Sequence, residues 1–181
     1  MRIAVIIPGH PYGRRMKILV FTEGTLFTHQ SWLGLTRAET VKRVRAGESP
    51  GYAGTVPIGG AALKLKAWEH AGAEIVYLTS RREPAEIEMA GKVLKLFDFP
   101  VGEVFYRRAG EQYADAAERA MPDILVEDDC ESIGGEVEMT YPHIRTGIRE
   151  KIKSIVVREF GGVEHLPDSL ADLANYTAAD S

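Results

Sequence analysis

The sequence predicts an α/β fold, a three-layer sandwich with a central parallel sheet of about five strands and a small cap insertion. Short apolar runs alternate with amphipathic stretches from Met16 onward, which is the pattern of strands linked by helical crossovers. Most of these runs are rich in Ile, Val and Leu without polar alternation, as expected of parallel strands buried on both faces. With 181 residues, of which 45% are hydrophobic, the chain is long enough for one such core.

The five apolar runs are the predicted strands, and the stretches between them carry helix signals. The predicted strands span 18–21, 75–78, 104–106, 124–126 and 155–157. The sequence from Thr36 to Glu39 fits a capping box and predicts a helix that ends near Gly47. Further helices are predicted over 61–70, 84–97 and 112–120.

The predicted domain covers 16–167, with an N-terminal appendage over 1–15 and a C-terminal tail over 168–181. The apolar run near the N-terminus is far shorter than the roughly 20 residues that span a bilayer. An extra edge strand over 2–7 is an equal alternative to an appendage, and the sequence leaves open whether translation starts at Met1 or Met16.

Residues 27–56 are an insertion between the first predicted strand and the helix over 61–70. Long excursions in compact domains are often lids or binding loops, so we expect a small cap over the carboxyl end of the first strand. A plain surface excursion is the alternative.

Composition argues against several classes of protein. The formal net charge of −4 does not fit a general nucleic-acid binder, which normally presents a basic surface. The one cysteine, Cys130, can form no internal disulfide and has no second cysteine for a zinc site, which fits a reducing compartment. We therefore expect a cytoplasmic protein without a nucleic-acid or membrane partner, and the sequence leaves its oligomeric state open.

Polar side chains follow four of the predicted strands at their carboxyl ends. The four segments are Thr22-Glu23-Gly24-Thr25, Thr79-Ser80-Arg81-Arg82, Arg107-Arg108-Ala109-Gly110 and Glu127-Asp128-Asp129. Ligands of open α/β sheets bind beyond the carboxyl ends of the strands, near the switch in strand order. The sequence therefore predicts one ligand site built from these segments.

Taken together, the four segments resemble the motifs of the haloacid dehalogenase-like phosphohydrolase superfamily, in an order and spacing that extend from Met16 to about Phe160. In that family a first strand ends in Asp-x-Asp-Gly-Thr, a second in Thr or Ser, a Lys or Arg forms the third motif, and an acidic pair forms the fourth. Here 75–81 looks like the second motif and 124–129 like the fourth, whose adjacent aspartates are similar to those of the nucleotidase-like branch.

The resemblance implies a Rossmann-like fold with the strand order 5-4-1-2-3 and magnesium-dependent phosphoryl chemistry. The first Asp of the family is the nucleophile and the second is the general acid/base, but alignment on Gly24 and Thr25 puts Phe21 and Glu23 at these positions. An aromatic ring can neither attack phosphorus nor bind magnesium. Glu23 keeps a carboxylate but is one methylene longer than aspartate, which shifts its proton-transfer geometry.

The resemblance also implies the binding residues. Those expected to hold phosphate are Gly24, Thr25, Thr79, Ser80, Arg81 and Arg107, and those expected to hold magnesium are Glu23, Glu127, Asp128 and Asp129. Arg107 lies 128 − 107 = 21 residues before Asp128, which suits the third motif, although Arg81, Arg82 and Arg108 compete for that role.

The segment 127–131, called the acidic loop below, carries four carboxylates in five positions. These charges repel one another unless a cation or basic side chains compensate them, and magnesium is a hard ion that prefers oxygen ligands. A loop paired with arginines is the alternative to a metal site.

Three alternative functions are consistent with this interpretation of the sequence. The first is an atypical member of the superfamily that binds a phosphorylated small molecule, with nucleotides among the candidates, and a weakened magnesium site. The second is an active magnesium-dependent phosphatase or nucleotidase that uses Glu23 and water. The third is a non-catalytic interaction protein with a vestigial site.

Overall fold

A computed structural model of the chain describes residues 14–178, in which seven strands and six α-helices form the regular structure. The strands are β1 (Lys17–Phe21), β2 (Phe27–His29), β3 (Thr55–Pro57), β4 (Glu74–Leu78), β5 (Val104–Phe105), β6 (Ile124–Asp128) and β7 (Lys153–Val157). The helices are α1 (Arg37–Arg45), α2 (Ala61–His70), α3 (Pro84–Leu96), α4 (Tyr113–Ala120), α5 (Thr146–Arg149) and α6 (Leu170–Ala174).

Five strands form one parallel sheet in the order β5-β4-β1-β6-β7. This is the order that the resemblance implied, read from the other edge. Strand β1 lies at the centre, and Ile18, Leu19 and Val20 are completely buried because helices cover both faces of the sheet. The carboxyl ends of β1, β4 and β6 are therefore neighbours at one edge, where the predicted site residues follow them.

The two faces of the sheet form two hydrophobic clusters, because successive side chains of a strand point to opposite sides. Ile18 and Val20 pack on one face with Leu65 and Trp68 of α2. Leu19 packs on the other face, against a cluster that includes the alanines of α4, Ala114, Ala116, Ala117 and Ala120. The predicted Rossmann-like three-layer α/β fold is confirmed.

The insertion over 27–56 is called the cap below. In it β2 pairs antiparallel with β3, and helix α1 lies between these two strands in the chain. The predicted capping box is present: the Thr36 hydroxyl accepts a hydrogen bond from the Glu39 backbone N–H at 3.3 Å. In return, a Glu39 carboxylate oxygen accepts one from the Thr36 backbone N–H at 2.7 Å. Helix α1 ends at Arg45, two residues before Gly47, whose φ of +85° favours glycine.

The ends of the described chain pack on the core. Arg15 donates hydrogen bonds to the carbonyls of Gly72 at 3.0 Å and Ala73 at 2.5 Å, and Met16 is buried. Most of the predicted appendage, including the alternative strand over 2–7, lies outside the described residues. In the predicted tail, α6 buries Leu170 and Leu173, which extends the core beyond 167. No helix within residues 14–178 combines the length and apolarity needed to cross a membrane.

Candidate functional site

A cavity of about 450 Å³ lies between the carboxyl edge of the sheet and the cap. Glu23, Ser80, Arg81 and Asp128 line it from the strand ends, so that the polar segments at the ends of β1, β4 and β6 meet at one site. Its aromatic lining consists of Phe21, Phe27, Trp32, Tyr52, Tyr113 and Phe160, of which Phe27, Trp32 and Tyr52 belong to the cap. The expectation that 27–56 forms a cap fits this arrangement.

A tight turn after β1 brings the segment 22–25 close to the acidic loop. The Thr22 carbonyl accepts hydrogen bonds from the backbone N–H groups of Leu26 at 2.8 Å and Phe27 at 2.9 Å, which closes the turn. Gly24 has a φ of +79°, and a Cβ at this position would lie 2.9 Å from Oδ2 of Asp128. Both the backbone conformation and the close approach therefore require glycine.

The Glu23 carboxylate is held by several donors from the ends of β1 and β4. Oε1 accepts a hydrogen bond from the Thr79 hydroxyl at 2.8 Å. Oε2 accepts one from the Thr22 hydroxyl at 2.7 Å and one from the Ser80 backbone N–H at 2.8 Å. The Arg81 guanidinium adds an ion pair, with Nε 3.7 Å from Oε1. Thr79, Ser80 and Arg81 were predicted to hold phosphate, and in the structure they surround this carboxylate.

Phe21 occupies the predicted nucleophile position with its ring packed edge-to-face on Tyr113, at a centroid distance of 5.2 Å. The Arg107 guanidinium lies over the Tyr113 ring at 3.8 Å and donates to the Ser80 carbonyl at 3.3 Å. Burial lowers the pKa of Arg107. Arg107 thus contacts two residues that line the cavity, but among the described residues Arg81 is the one arginine that lines it.

Arg81 also connects the core to the cap. Its guanidinium lies over the Tyr52 ring at 4.7 Å from the centroid, a cation–π contact across the cavity mouth. Burial raises the pKa of Tyr52, and the charge of Glu23 acts in the same direction. Tyr52 therefore keeps its phenolic proton at neutral pH.

Asp128 is a buried carboxylate at the end of β6, with 4% of its surface exposed. Oδ2 accepts a hydrogen bond from the Thr25 hydroxyl at 2.8 Å, and Oδ1 accepts one from the Cys130 backbone N–H at 2.9 Å. Burial raises the pKa of Asp128 to about 7, with smaller contributions in the same direction from Glu159 and Asp129, against the effect of the two hydrogen bonds. Thr25, predicted as a phosphate ligand, thus binds Asp128.

Asp128, Asp129 and Glu159 each offer an oxygen atom, and these atoms lie within 4.8 Å of one another. Glu159 is 6% exposed, and its two oxygens accept hydrogen bonds from the Ser132 backbone N–H and hydroxyl, both at 2.6 Å. Within residues 14–178, no basic side chain comes within ion-pair distance of Asp128 or Glu159. In this all-oxygen set two of the three carboxylates, Asp128 and Glu159, are buried without a basic partner, which fits a hard divalent cation without distinguishing magnesium from others.

Glu159 was not among the predicted metal ligands, whereas Glu23 and Glu127, which were, lie outside the group of three. Glu159 lies two residues after the end of β7, so the rule that selected the polar residues after the other strands would have found it. Glu127 instead accepts hydrogen bonds from the backbone N–H groups of Thr140 at 2.6 Å and Tyr141 at 2.9 Å, and burial raises its pKa. Neither Glu127 nor Glu23 belongs to the group of three carboxylates found in the described part of the chain.

Two arginines of α1 bind the acidic loop from the cap. Arg37 forms an ion pair with Glu131 and lies 3.6 Å from Oδ2 of Asp129. Arg45 donates to the Glu131 carbonyl at 2.9 Å and lies 3.4 Å from its carboxylate. The hydrogen bond and charge of Arg37 lower the pKa of Glu131. The acidic loop is therefore partly paired with arginines, at its outer end, while Asp128 faces the cavity.

No model of a known protein family matches the sequence, and no curated protein is significantly similar to it. Membership of the haloacid dehalogenase-like superfamily therefore remains a prediction that rests on motif order, strand order and site geometry.

Proposed function

We propose that this protein is an atypical haloacid dehalogenase-like protein that binds a phosphorylated small molecule together with a divalent cation and forms no aspartyl-phosphate. One observation carries the proposal: Phe21 fills the nucleophile position, while Asp128 and Glu159 stay buried and uncompensated beside the same cavity. The strand order β5-β4-β1-β6-β7 supports the family assignment.

The charges that line the cavity explain why the ligand would need a cation. Among the described residues, six carboxylates and a single arginine line the cavity: Glu23, Glu48, Glu127, Asp128, Glu138 and Glu159, with Arg81. A phosphate brought into this field without a counterion meets net repulsion. A divalent cation on Asp128, Asp129 and Glu159 would compensate most of the negative charge of this group and offer open positions to phosphate oxygens.

The neighbours of Phe21 supply no replacement nucleophile. Thr22 is completely buried, and its hydroxyl is engaged with the Glu23 carboxylate and the Leu78 carbonyl at 3.2 Å. Cys130 lines the cavity, but burial and the neighbouring carboxylates raise the pKa of its thiol, which keeps it protonated. Neither Thr22 nor Cys130 is therefore suited to replace the missing aspartyl nucleophile.

Direct hydrolysis is a second candidate, favoured by one observation. Oε1 of Glu23 accepts one hydrogen bond, from Thr79, and the side chain lines the cavity, so one lone pair is left for a water molecule. Glu23 would then be the general base for an attacking water.

The test measures binding and turnover separately on the full chain. Thermal unfolding is followed with Mg²⁺, Mn²⁺ or Ca²⁺ and with a panel of phosphomonoesters that includes nucleoside monophosphates, for the wild type, Asp128→Asn and the surface control Glu88→Gln. We expect stabilisation by a cation, further stabilisation by a phosphomonoester, loss of both in Asp128→Asn, and no change in Glu88→Gln.

Phosphate release is assayed in parallel on the same panel. We expect no turnover in the wild type, and cation-dependent turnover that Glu23→Gln abolishes would replace the proposal by direct hydrolysis. A wild-type protein that responds to no cation and no phosphomonoester would refute both and leave the interaction protein.

A further inference from the structure

The donors around Glu23 form a built site for an anion. Two hydroxyls, of Thr22 and Thr79, and the Ser80 backbone N–H point at its carboxylate from 2.7 to 2.8 Å. The Arg81 guanidinium stands beside them at 3.7 Å. These groups come from the ends of two adjacent strands, and Thr22 and Thr79 are completely buried, so the sheet holds the donors in place.

This set of donors matches what a tetrahedral oxyanion needs. Hydrogen bonds to a charged acceptor are short and strong, and hydroxyls, backbone N–H groups and guanidinium groups together are common ligands of phosphate. In the structure the required negative charge comes from within the chain, because the Glu23 carboxylate accepts hydrogen bonds from these donors. Its side chain is 21% exposed and lines the cavity, so an anion in the cavity would meet it directly.

We propose that Thr22, Thr79, Ser80 and Arg81 form an oxyanion-binding site that is occupied by Glu23, an internal anion that excludes inorganic phosphate and phosphoryl groups from it. The ligand class is the tetrahedral oxyanion. Removal of the carboxylate vacates the donors and also removes one negative charge from the cavity. Under the proposed function above, a phosphorylated ligand of the wild type would therefore be held by the cation at Asp128 and not by these donors.

The inference does not depend on the proposed function, because it concerns the metal-free protein. Inorganic phosphate binding is measured by calorimetry in the presence of a chelator for the wild type, Glu23→Ala, Glu23→Ser and Glu23→Gln. Glutamine fills the same volume: its amide oxygen can accept from the Thr22 hydroxyl and the Ser80 N–H while its NH2 group donates to the Thr79 hydroxyl, so it is the matched control. A double variant, Glu23→Ala with Thr79→Val, removes one hydroxyl donor from the vacated site at nearly constant volume.

We expect Glu23→Ala and Glu23→Ser to bind phosphate at least roughly tenfold more tightly than the wild type, an effect that charge-assisted hydrogen bonds readily supply. Glu23→Gln should resemble the wild type, and Thr79→Val should cancel the gain in the alanine variant. Either small variant suffices if the other fails to fold, which circular dichroism establishes.

Two results would overturn the inference. One is phosphate binding by Glu23→Ala and Glu23→Ser that is no tighter than that of the wild type. The other is an equal gain in Glu23→Gln, because the gain would then come from lost repulsion and not from vacated donors. Cation binding by the wild type is scored in the separate experiment above, so that failure of one proposal leaves the other testable.

Discussion

Replacement of Asp128 by asparagine is expected to stabilise the metal-free protein at pH 8, although it removes a carboxylate with two hydrogen bonds. Burial raises the pKa of Asp128 to about 7 in the folded protein, from an ordinary value of 3.8. The difference, 7 − 3.8, is about 3 pK units, and each unit corresponds to about 1.4 kcal/mol. Keeping this carboxylate ionised in the fold therefore costs roughly 4 kcal/mol above pH 7.

The sign follows from proton binding in the two states. Between pH 4 and 7 the folded protein holds a proton on Asp128 that the unfolded chain has released. The contribution of this group to stability is therefore fully present below about pH 4 and is lost as the pH rises to about 7. Asparagine does not titrate, so the variant does not lose stability in this way as the pH rises.

The assay is urea unfolding of the wild type and Asp128→Asn in a chelator, at several pH values from 4 to 8. Asparagine can accept from the Cys130 N–H and donate to the Thr25 hydroxyl, so both contacts persist. We expect the free energy of unfolding of the variant, relative to the wild type, to rise by roughly 4 kcal/mol across this range. The exposed Glu88→Gln should show no such rise.

Parallel stability curves for the wild type and Asp128→Asn would refute the reasoning, since they would mean that Asp128 titrates alike in both states. Saturating Mg²⁺ at pH 8 should reduce the difference in free energy of unfolding between Asp128→Asn and the wild type, because a bound cation compensates the buried charge in the wild type alone.

Three further predictions concern the turn, the cap and the thiol. Gly24→Ala should lower the free energy of unfolding by about 1 to 3 kcal/mol because of its positive φ and close contact. The control Gly91→Ala, in open space within α3, should be neutral or raise it by up to about 1 kcal/mol. Arg37→Ala should speed hydrogen exchange of the cap amides roughly fivefold by removing its ion pairs with the acidic loop, unlike Arg43→Ala, whose ion pair lies within the cap. Cys130 should react with a disulfide reagent at pH 8 roughly tenfold more slowly than free cysteine, because burial raises the pKa of its thiol.

Each of these has a clear contrary result. Equal effects at the two glycines would mean that the turn after β1 tolerates a side chain. Unchanged exchange in Arg37→Ala would mean that other contacts hold the cap closed. Rapid modification of Cys130 in the folded protein, at the rate seen in urea, would mean that the cavity gives reagents free access to the thiol.

The sheet and the main helices could be predicted because their signals are local. Each predicted strand end lies within two residues of the observed one, and the helix over 61–70 was placed correctly at both ends. Apolar runs determine where strands begin and end because their side chains are buried, and capping residues determine where helices begin and end because they satisfy backbone hydrogen bonds. Strands β2 and β3 were missed, since three residues are too few for a pattern to stand out.

The site was predicted only in part, because its contacts join residues far apart in the chain. The sequence predicted that Glu23, Thr79 and Asp128 would gather at one edge of the sheet, and they line or border the same cavity. Nothing local indicates that Glu23 binds the donors expected to hold phosphate, or that Arg37 reaches the acidic loop 94 residues later.

The sequence by itself determined the layers of the fold, the order of the polar strand ends and the aromatic residue at the position predicted for a nucleophile, since these depend on which side chains prefer burial and on the identity of single residues. The tertiary structure alone decided how each carboxylate is used. Glu127 accepts hydrogen bonds from a loop, Glu23 accepts hydrogen bonds from residues after β4, and Asp128 lies close to Glu159, which follows another strand. The reason is physical: the state of a charge depends on burial and on neighbours, and the fold brings those neighbours from distant parts of the chain.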